Sequence, residues 1–217
     1  LILEGDIISI FNGPDIIGVC SIFDDILTCV HIMDRYLDDY TMIIENIIQD
    51  FNIHQITYSS NDVNMSVYLR GYNYRIENIA INYTFHTYKS DIEHMYRATY
   101  SKLKEIKETF GDFHDDYENL LDNHLLFLHY RKKNLVSMVT CKKHIINNNL
   151  CSLSVIVTED FRRKGIAKNC LAYVGNLLIK NGKKIHAGCG YTDYTSRNML
   201  EKAGFVSRNT LSNVYLP

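Results

Sequence analysis

The chain has 217 residues, 46% of them hydrophobic and 22% charged, an ordinary globular balance that excludes a disordered chain and allows one large domain or two small ones. A formal net charge of -2 gives no global basic field to recruit nucleic acid. No apolar run is long enough to span a bilayer, no signal peptide is visible, and six cysteines without a C-x-x-C pair point to reduced thiols in a cytoplasmic protein, not to a disulfide framework or a zinc site.

Short apolar runs open the chain: Ile7 to Phe11, Ile16 to Phe23 and Ile26 to Met33. Asn12-Gly13-Pro14-Asp15 and Asp24-Asp25 punctuate them, which predicts hairpin strands. Asp38-Asp39 is placed to cap a helix whose apolar face is Tyr40, Ile43, Ile44, Ile47, Ile48 and Phe51. A strand over Ile53 to Tyr58 and a short helix over Asp62 to Leu69 follow, then Gly71-Tyr72. Tyr74 to Phe85 reads as a strand pair or one long strand.

Thr87 to Ser90 is a candidate junction, so the expected domains are 1–86 and 87–217. Ser90-x-x-Glu93 has the form of a capping box, and Ile92, Met95, Tyr96, Thr99, Leu103, Ile106 and Phe110 predict one helix face ending at Gly111. A shorter helix holds Tyr117, Leu120 and Leu121. Leu125 to Tyr130 and Leu135 to Cys141 are strands joined by Arg131-Lys132-Lys133-Asn134, and Asn147-Asn148-Asn149 turns into the next strand.

That strand, with Leu153, Val155, Ile156 and Val157, runs into Arg162-Arg163-Lys164-Gly165-Ile166-Ala167. A strand that feeds a helix through such a turn aims free backbone N–H groups at one point, and the helix dipole behind them favours phosphate. A solvated basic turn is the plainer reading of the three cations alone. Ile166, Ala167, Cys170, Leu171, Val174, Leu177 and Leu178 give the helix its apolar face, and Asn181-Gly182 ends it. Ile185 to Cys189 is a strand, Thr192 or Asp193 can cap a helix to Ala203, and Leu211 to Leu216 is a last strand.

Arg162, Gly165 and Ala167 match the Q/R-x-x-G-x-G/A pyrophosphate loop, and the second half of the chain resembles the Gcn5-related N-acetyltransferase superfamily, of the FR47-like type. Asp193-x-x-Ser196 and then Gly204-Phe205 stand where members carry N-x-x-S and G-F; Asn is replaced by Asp, and the usual Tyr by Leu200. The resemblance implies an α/β fold with a mixed central sheet flanked by helices. The element order of the first half is similar, with Gly71-Tyr72 in the place of Gly204-Phe205, so two tandem copies are expected. Met33 to Asp38 has no glycine and carries acids, which makes the N-terminal copy degenerate; an unrelated α/β extension is the alternative.

For the co-substrate acetyl-CoA, the resemblance implies backbone contacts from the strand at Val155, Ile156 and Val157 to the pantetheine arm. It implies contacts from Arg162, Arg163, Lys164, Gly165, Ile166, Ala167 and Lys168 to the pyrophosphate. Asp193 and Ser196 are expected near the pantetheine and the thiol, though Asp193 also reads as a plain helix cap. Acetyl transfer to an amine needs a deprotonated amine, a stabilised oxyanion and a protonated or screened leaving thiolate, and no metal. The central strand offers no carboxylate base at Leu150, Cys151 or Ser152; His144 and His186 are other candidates, each also readable as structural. With Leu at position 200, the catalytic candidates are Tyr191, Tyr194 and Ser196.

The expected function is direct transfer of acetyl from acetyl-CoA to a primary amine on a small molecule or peptide, by a monomer or homodimer, without nucleic acid or membrane partners. A non-catalytic acyl-CoA-binding or regulatory module is the alternative. An aminoacyl-tRNA-using transferase of tandem architecture is a third reading, disfavoured by the near-neutral charge and the intact loop.

Overall fold

Short apolar runs separated by polar turns build the first strands. In this computed structural model residues 5–114, 116–144, 147 and 149–217 are described. Strands β1 (Asp6–Asn12), β2 (Asp15–Phe23) and β3 (Ile26–Ile32) form an antiparallel meander, with Asn12 opposite Asp15 and Phe23 opposite Ile26 across two-residue turns. A 3-10 turn over Asp34–Asp39 leads into α1 (Tyr40–Asp50), which buries Tyr40, Ile43, Ile44 and Ile47. Asp39 stands before this helix, but its side chain makes no capping hydrogen bond.

The chain returns as β4 (Gln55–Ser59), parallel to β3 through Ile26↔Gln55 and Leu27↔Ile56. Next comes α2 (Val63–Arg70), capped by the Asp62 carboxylate, which accepts from the Met65 N–H at 3.0 Å. Arg75–Phe85 is one long strand, β5, not a pair.

The long helix expected from the Ser90 capping box does not form. Residues 86–95 are irregular, β6 is Tyr96–Arg97, and the helix, α3, is only Leu103–Phe110. Tertiary pairing overrides the apolar period here: Tyr96 and Arg97 pair with Leu128 and Phe127, and the Ala98 N–H donates to the Leu126 carbonyl at 2.9 Å. The Ser90 hydroxyl donates instead to the Asn169 carbonyl at 2.8 Å and accepts from the Ile92 N–H.

After α4 (Tyr117–Asp122), strands β7 (Leu126–Arg131), β8 (Asn134–Lys143) and β9 (Leu150–Val157) run antiparallel in succession. Of the expected turn before β9, Asn148 lies outside the described residues. Then follow α5 (Ile166–Lys180), β10 (Lys184–Gly190), α6 (Tyr194–Lys202) and β11 (Phe205–Tyr215).

The chain gathers into two compact units that no single cut separates. The first holds the described residues to Ile81 with Gly190–Thr192 and Asn209–Pro217; the second holds Asn82–Cys189 and Asp193–Arg208. The strand order is β1-β2-β3-β4-β11-β5 in the first and β11-β5-β10-β9-β8-β7-β6 in the second, so β5 and β11 contribute residues to each. The first core centres on Leu27, Ile44, Ile56 and Val214. In the second, one core cluster gathers around Ile106, Tyr117, Leu126 and Met138, while α5 buries Cys170, Leu171 and Val174.

Phe85 ties the tail of β5 into the second unit. It is 3% exposed, and its ring stands 4.9 Å from that of Phe205. A Cβ at Gly175 of α5 would come within 2.5 Å of the same ring, so only glycine lets the helix lie this close to the strand. Burying such an aromatic contributes roughly 1.5–3 kcal/mol. A fragment starting at Thr87 lacks both Phe85 and Tyr83, the latter 1% exposed. We expect it to show no cooperative thermal transition by circular dichroism, whereas the full chain melts cooperatively; a sharp melt of the fragment would show that the second unit does not need the tail of β5.

Candidate functional site

The site begins where two parallel strands part. β10 pairs with β9 at three positions only: Lys184↔Leu150, Ile185↔Cys151 and His186↔Ser152. Beyond Ser152 the pairing with β10 stops, while on its other edge β9 stays paired to β8 up to Ser137↔Val157. One backbone edge of β9 past Ser152 is therefore open to a ligand.

At the end of β9 the chain makes a 3-10 turn over Glu159–Phe161 and enters α5. Arg163 (φ 59°) and Gly165 (φ 74°) both adopt the left-handed conformation, which curls successive N–H groups toward one side. No side chain caps α5, and Asn169 N–H to Gly165 C=O, at 3.3 Å, is the first bond of its ladder. The amides of Ile166, Ala167 and Lys168 thus have no acceptor within the helix, and the dipole adds positive potential there. A Cβ on Gly165 would meet Lys168 Cε at 3.3 Å and would strain the backbone at this φ.

A cavity of about 1300 Å³ lies along these elements. Its volume exceeds the roughly 300–1,000 Å³ usual for small-molecule sites, as a long co-substrate requires. Of the sequence-predicted residues, Val155, Ile156, Val157, Arg162, Arg163, Gly165, Ile166, Ala167, Lys168 and Ser196 line it; Lys164, Asp193, Tyr191 and Tyr194 do not. Arg162 Nε donates to the Val157 carbonyl at 3.1 Å, which fastens the turn to the strand end. Lys164 Nζ donates to the Asp160 carbonyl at 2.8 Å and sits 5.2 Å from the Phe161 ring centre.

Asp193 caps α6: its carboxylate accepts from the Ser196 N–H at 2.9 Å. Hydrogen bonds from the Ser196 side chain and then from its backbone hold the Asp193 carboxyl below its ordinary range. Tyr194 is 66% exposed with the Arg197 guanidinium 5.4 Å from its ring centre. Tyr191 belongs to the first unit, where its N–H donates to the Ile79 carbonyl at 3.0 Å. Leu200 is buried in the core.

Leu150 to Ser152 offer no carboxylate base, and Cys151 is 1% exposed. His186 stands opposite Ser152 with a buried Nε2 that lacks a hydrogen-bond partner; burial, and then His144, push its pKa down, so the ring is neutral near pH 7.

Sequence reasoning missed Glu159, Asp160 and Phe161 ahead of the loop, and Phe113, Thr195, Asn198, Met199 and Lys202, which also line the cavity. Four of these were within reach. Thr195, Asn198, Met199 and Lys202 follow i, i+3, i+4, i+7 spacing, one face of α6 beside Ser196. Phe113, between α3 and α4, carries no periodic signal.

A parallel strand pair that opens beside an uncapped, glycine-held helix start defines the class as an α/β acyltransferase. Residues 89–205 match the acetyltransferase (GNAT) family, and the chain belongs to that family. Its members use acetyl-CoA as co-substrate and act on small-molecule or peptide acceptors. An acetyltransferase from the GNAT family of Colwellia psychrerythraea has a similar fold, with a TM-score of 0.86 at 16% identity over 100% of this chain and 87% of that one. A GCN5-related N-acetyltransferase from Sphaerobacter thermophilus is similar at a TM-score of 0.58 and 13% identity, covering 94% and 79% of the two chains. A tandem GNAT protein from the clavulanic acid biosynthesis pathway gives 0.57 and 6%, covering 96% and 81%. No curated protein sequence matches the chain.

The turn at Gly165 fits a pyrophosphate, because backbone donors converge where a side chain would intrude. Gly165→Val should weaken coenzyme A binding on the order of 100-fold by calorimetry, since it adds both a β-branched bulk and a strained φ. Arg163→Ala should cost at most about tenfold, because it removes one exposed charge and no backbone donor. Equal losses would mean that side-chain charge, not the backbone cradle, holds the phosphates.

Proposed function

We propose that this enzyme moves the acetyl group of acetyl-CoA directly onto a primary amine of a small molecule or peptide, without an acyl-enzyme. The observation that carries this reading is the open edge of β9 running into the uncapped start of α5. Bound along it, acetyl-CoA supplies an activated thioester. The β9 backbone at Val155, Ile156 and Val157 would orient the pantetheine arm, and Arg163 to Lys168 would hold the pyrophosphate through their amides. Ser196 lines the cavity as a polar contact for the arm. Arg162 adds charge, the Lys164 side chain holds the Asp160 carbonyl, and Asp193 keeps the start of α6, with Ser196, in place.

With no carboxylate on β9, deprotonation of the amine falls to water held in the cleft. The leaving thiolate needs a proton, and Leu200 has none to give. We assign that proton to Tyr191 or Tyr194 at the entrance of α6, each of which carries a phenolic O–H that can donate.

We further propose a tandem organisation, with a degenerate N-terminal copy in 1–86 and the acetyl-CoA-binding copy in 87–217. Its support is a repeated order. The run β3, α1, β4, α2, Gly71-Tyr72, β5 matches β9, α5, β10, α6, Gly204-Phe205, β11, and both crossovers join parallel strands that pair over only two or three residues. In the first copy the stretch before the helix is Asp34–Asp39, with three aspartates and no glycine, which would repel a pyrophosphate.

Turnover of a panel of primary amines with acetyl-CoA tests the function. Tyr191→Phe or Tyr194→Phe should lower kcat on the order of 100-fold with little change in acetyl-CoA affinity. If both variants keep full turnover, the thiolate leaves through water or backbone stabilisation. Calorimetry should give one acetyl-CoA per chain; two would overturn the degeneracy of the N-terminal copy. Tight binding without turnover of any amine would leave a binding module in place of the transferase.

A further inference from the structure

A second cavity lies at the other end of the second unit's sheet, and the acyl-transfer reading gives it no role. β6 covers β7 over two residues only, Tyr96↔Leu128 and Arg97↔Phe127, so His129, Tyr130 and Arg131 run on past it toward the β7–β8 turn. The hollow left there measures about 760 Å³, within the usual range for a small-molecule site.

Its charge is one-sided. Arg97, Lys102, Arg131, Lys132 and Lys133 line it, against Asp91 and Glu93. Lys102 pairs with Glu105 at 2.9 Å, and the Asp91 carboxylate takes a hydrogen bond from Asn169 Nδ2 at 3.4 Å. Four cations then face Asp91 and Glu93, a net excess of two positive charges in a chain whose formal net charge is -2. Such a local excess favours an anion.

The turn itself is built against local preference. Lys132 (φ 47°) and Lys133 (φ 70°) are both left-handed between the paired Arg131 and Asn134. Two-residue turns of this kind favour Asn-Gly, and a pair of lysines strains the hairpin without adding packing. What the lysines bring is charge at the hollow.

His129 supplies an independent observation. It lines the hollow, and its Nε2 is buried without a hydrogen-bond partner, while its ring hydrogen-bonds the His94 backbone. Burial first, and Arg131 next, hold its pKa below the ordinary value, so near pH 7 the ring is neutral and Nε2 is a bare acceptor. A ligand that brings anionic oxygens and a hydrogen-bond donor satisfies both features, with the His129 ring turning its buried Nε2 to the hollow on binding.

We propose that this hollow binds a phosphomonoester, whose anionic oxygens meet Arg97, Arg131, Lys132 and Lys133 and whose P–O–H donates to His129 Nε2. A phosphomonoester has its second pKa near about 6, so both forms are present around neutrality. Sulfate carries similar charge and no proton, which makes it the discriminating control.

Site-resolved NMR of the full chain at pH 6.5 tests this, with inorganic phosphate, sulfate, ribose 5-phosphate and a phosphoserine peptide as probes. Phosphate should shift the amides of Lys132 and Lys133 and the His129 ring, and sulfate should need at least about tenfold more for the same shift. The double substitution Lys132→Asn with Lys133→Gly suits the turn and should keep or raise Tm, yet lower phosphate affinity at least about tenfold. Tighter binding of ribose 5-phosphate points to a free metabolite, and tighter binding of the peptide to a phosphorylated side chain; either supports the site. Equal binding of sulfate, an unchanged affinity in the double variant, or shifts confined to 163–168 would overturn it.

Discussion

The loss of register between β9 and β10 after Ser152↔His186 is the constraint on which the site depends. Had the two parallel strands stayed paired, every N–H and C=O of Leu153 to Val157 would be satisfied within the sheet, and no ligand could hydrogen-bond there. Parting the strands exposes one backbone edge, and the two elements that follow are arranged around the gap. α5 begins at one end of it with three amides lacking acceptors, and α6 presents Thr195, Ser196, Asn198, Met199 and Lys202 to the same cavity. The Arg162 guanidinium, bonded to the Val157 carbonyl, fixes the angle at which strand passes into turn. What this geometry offers a ligand is mostly backbone donors and acceptors, not side-chain charge. That explains why the turn can dispense with Lys164, which is spent on the Asp160 carbonyl.

Much of this was legible in the sequence because the relevant signals are local. A strand of β-branched residues, a basic turn with glycine and an amphipathic run of fifteen residues specify β9, the turn and α5 with little help from the rest of the chain. The first three strands and α1 were readable for the same reason. The failure over 92–110 has the opposite origin. Its apolar residues recur at helical spacing, yet Tyr96 and Arg97 are claimed by a sheet edge some thirty residues away in sequence, and Ser90 is claimed by α5. Periodicity within a window cannot register a competitor outside it. The site followed the same rule. The expected loop residues other than Lys164 line the cavity, as does Ser196 on α6, and Phe113 was missed because an aromatic in an irregular connection has no spacing to betray it. Tyr191 and Tyr194, singled out by proximity in sequence to Ser196, are not among the cavity-lining residues: Tyr191 stands in the turn before α6 and belongs to the first unit, and helical rotation turns Tyr194 to another face than Thr195 and Ser196.

Substitutions within the helix α6 carry a second lesson. Leu200 is 3% exposed, and it shares the core with Ala203 and Phe205. Where a hydroxyl would suit chemistry, this chain has chosen packing. Burying a phenol there would require a partner for its oxygen or cost free energy, so leucine stabilises the helix while moving the demand for a proton elsewhere. Half-buried His186 obeys similar logic: its Nε2 is buried and its pKa is pushed down by that burial, so it accepts a proton only weakly.

Shared strands have a consequence for how the protein is made. The first unit includes Asn209–Pro217, whose Val214 lies in a core with Leu27, Ile44 and Ile56. A ribosome delivers the N-terminal residues first, but this unit cannot close its sheet until the stretch after Arg208 has emerged. Throughout synthesis the early meander therefore waits with an unfilled place in its core, exposed to chaperones and to wrong partners. The core around Leu27, Ile44 and Ile56 therefore cannot be completed until the strand that carries Val214 has been made.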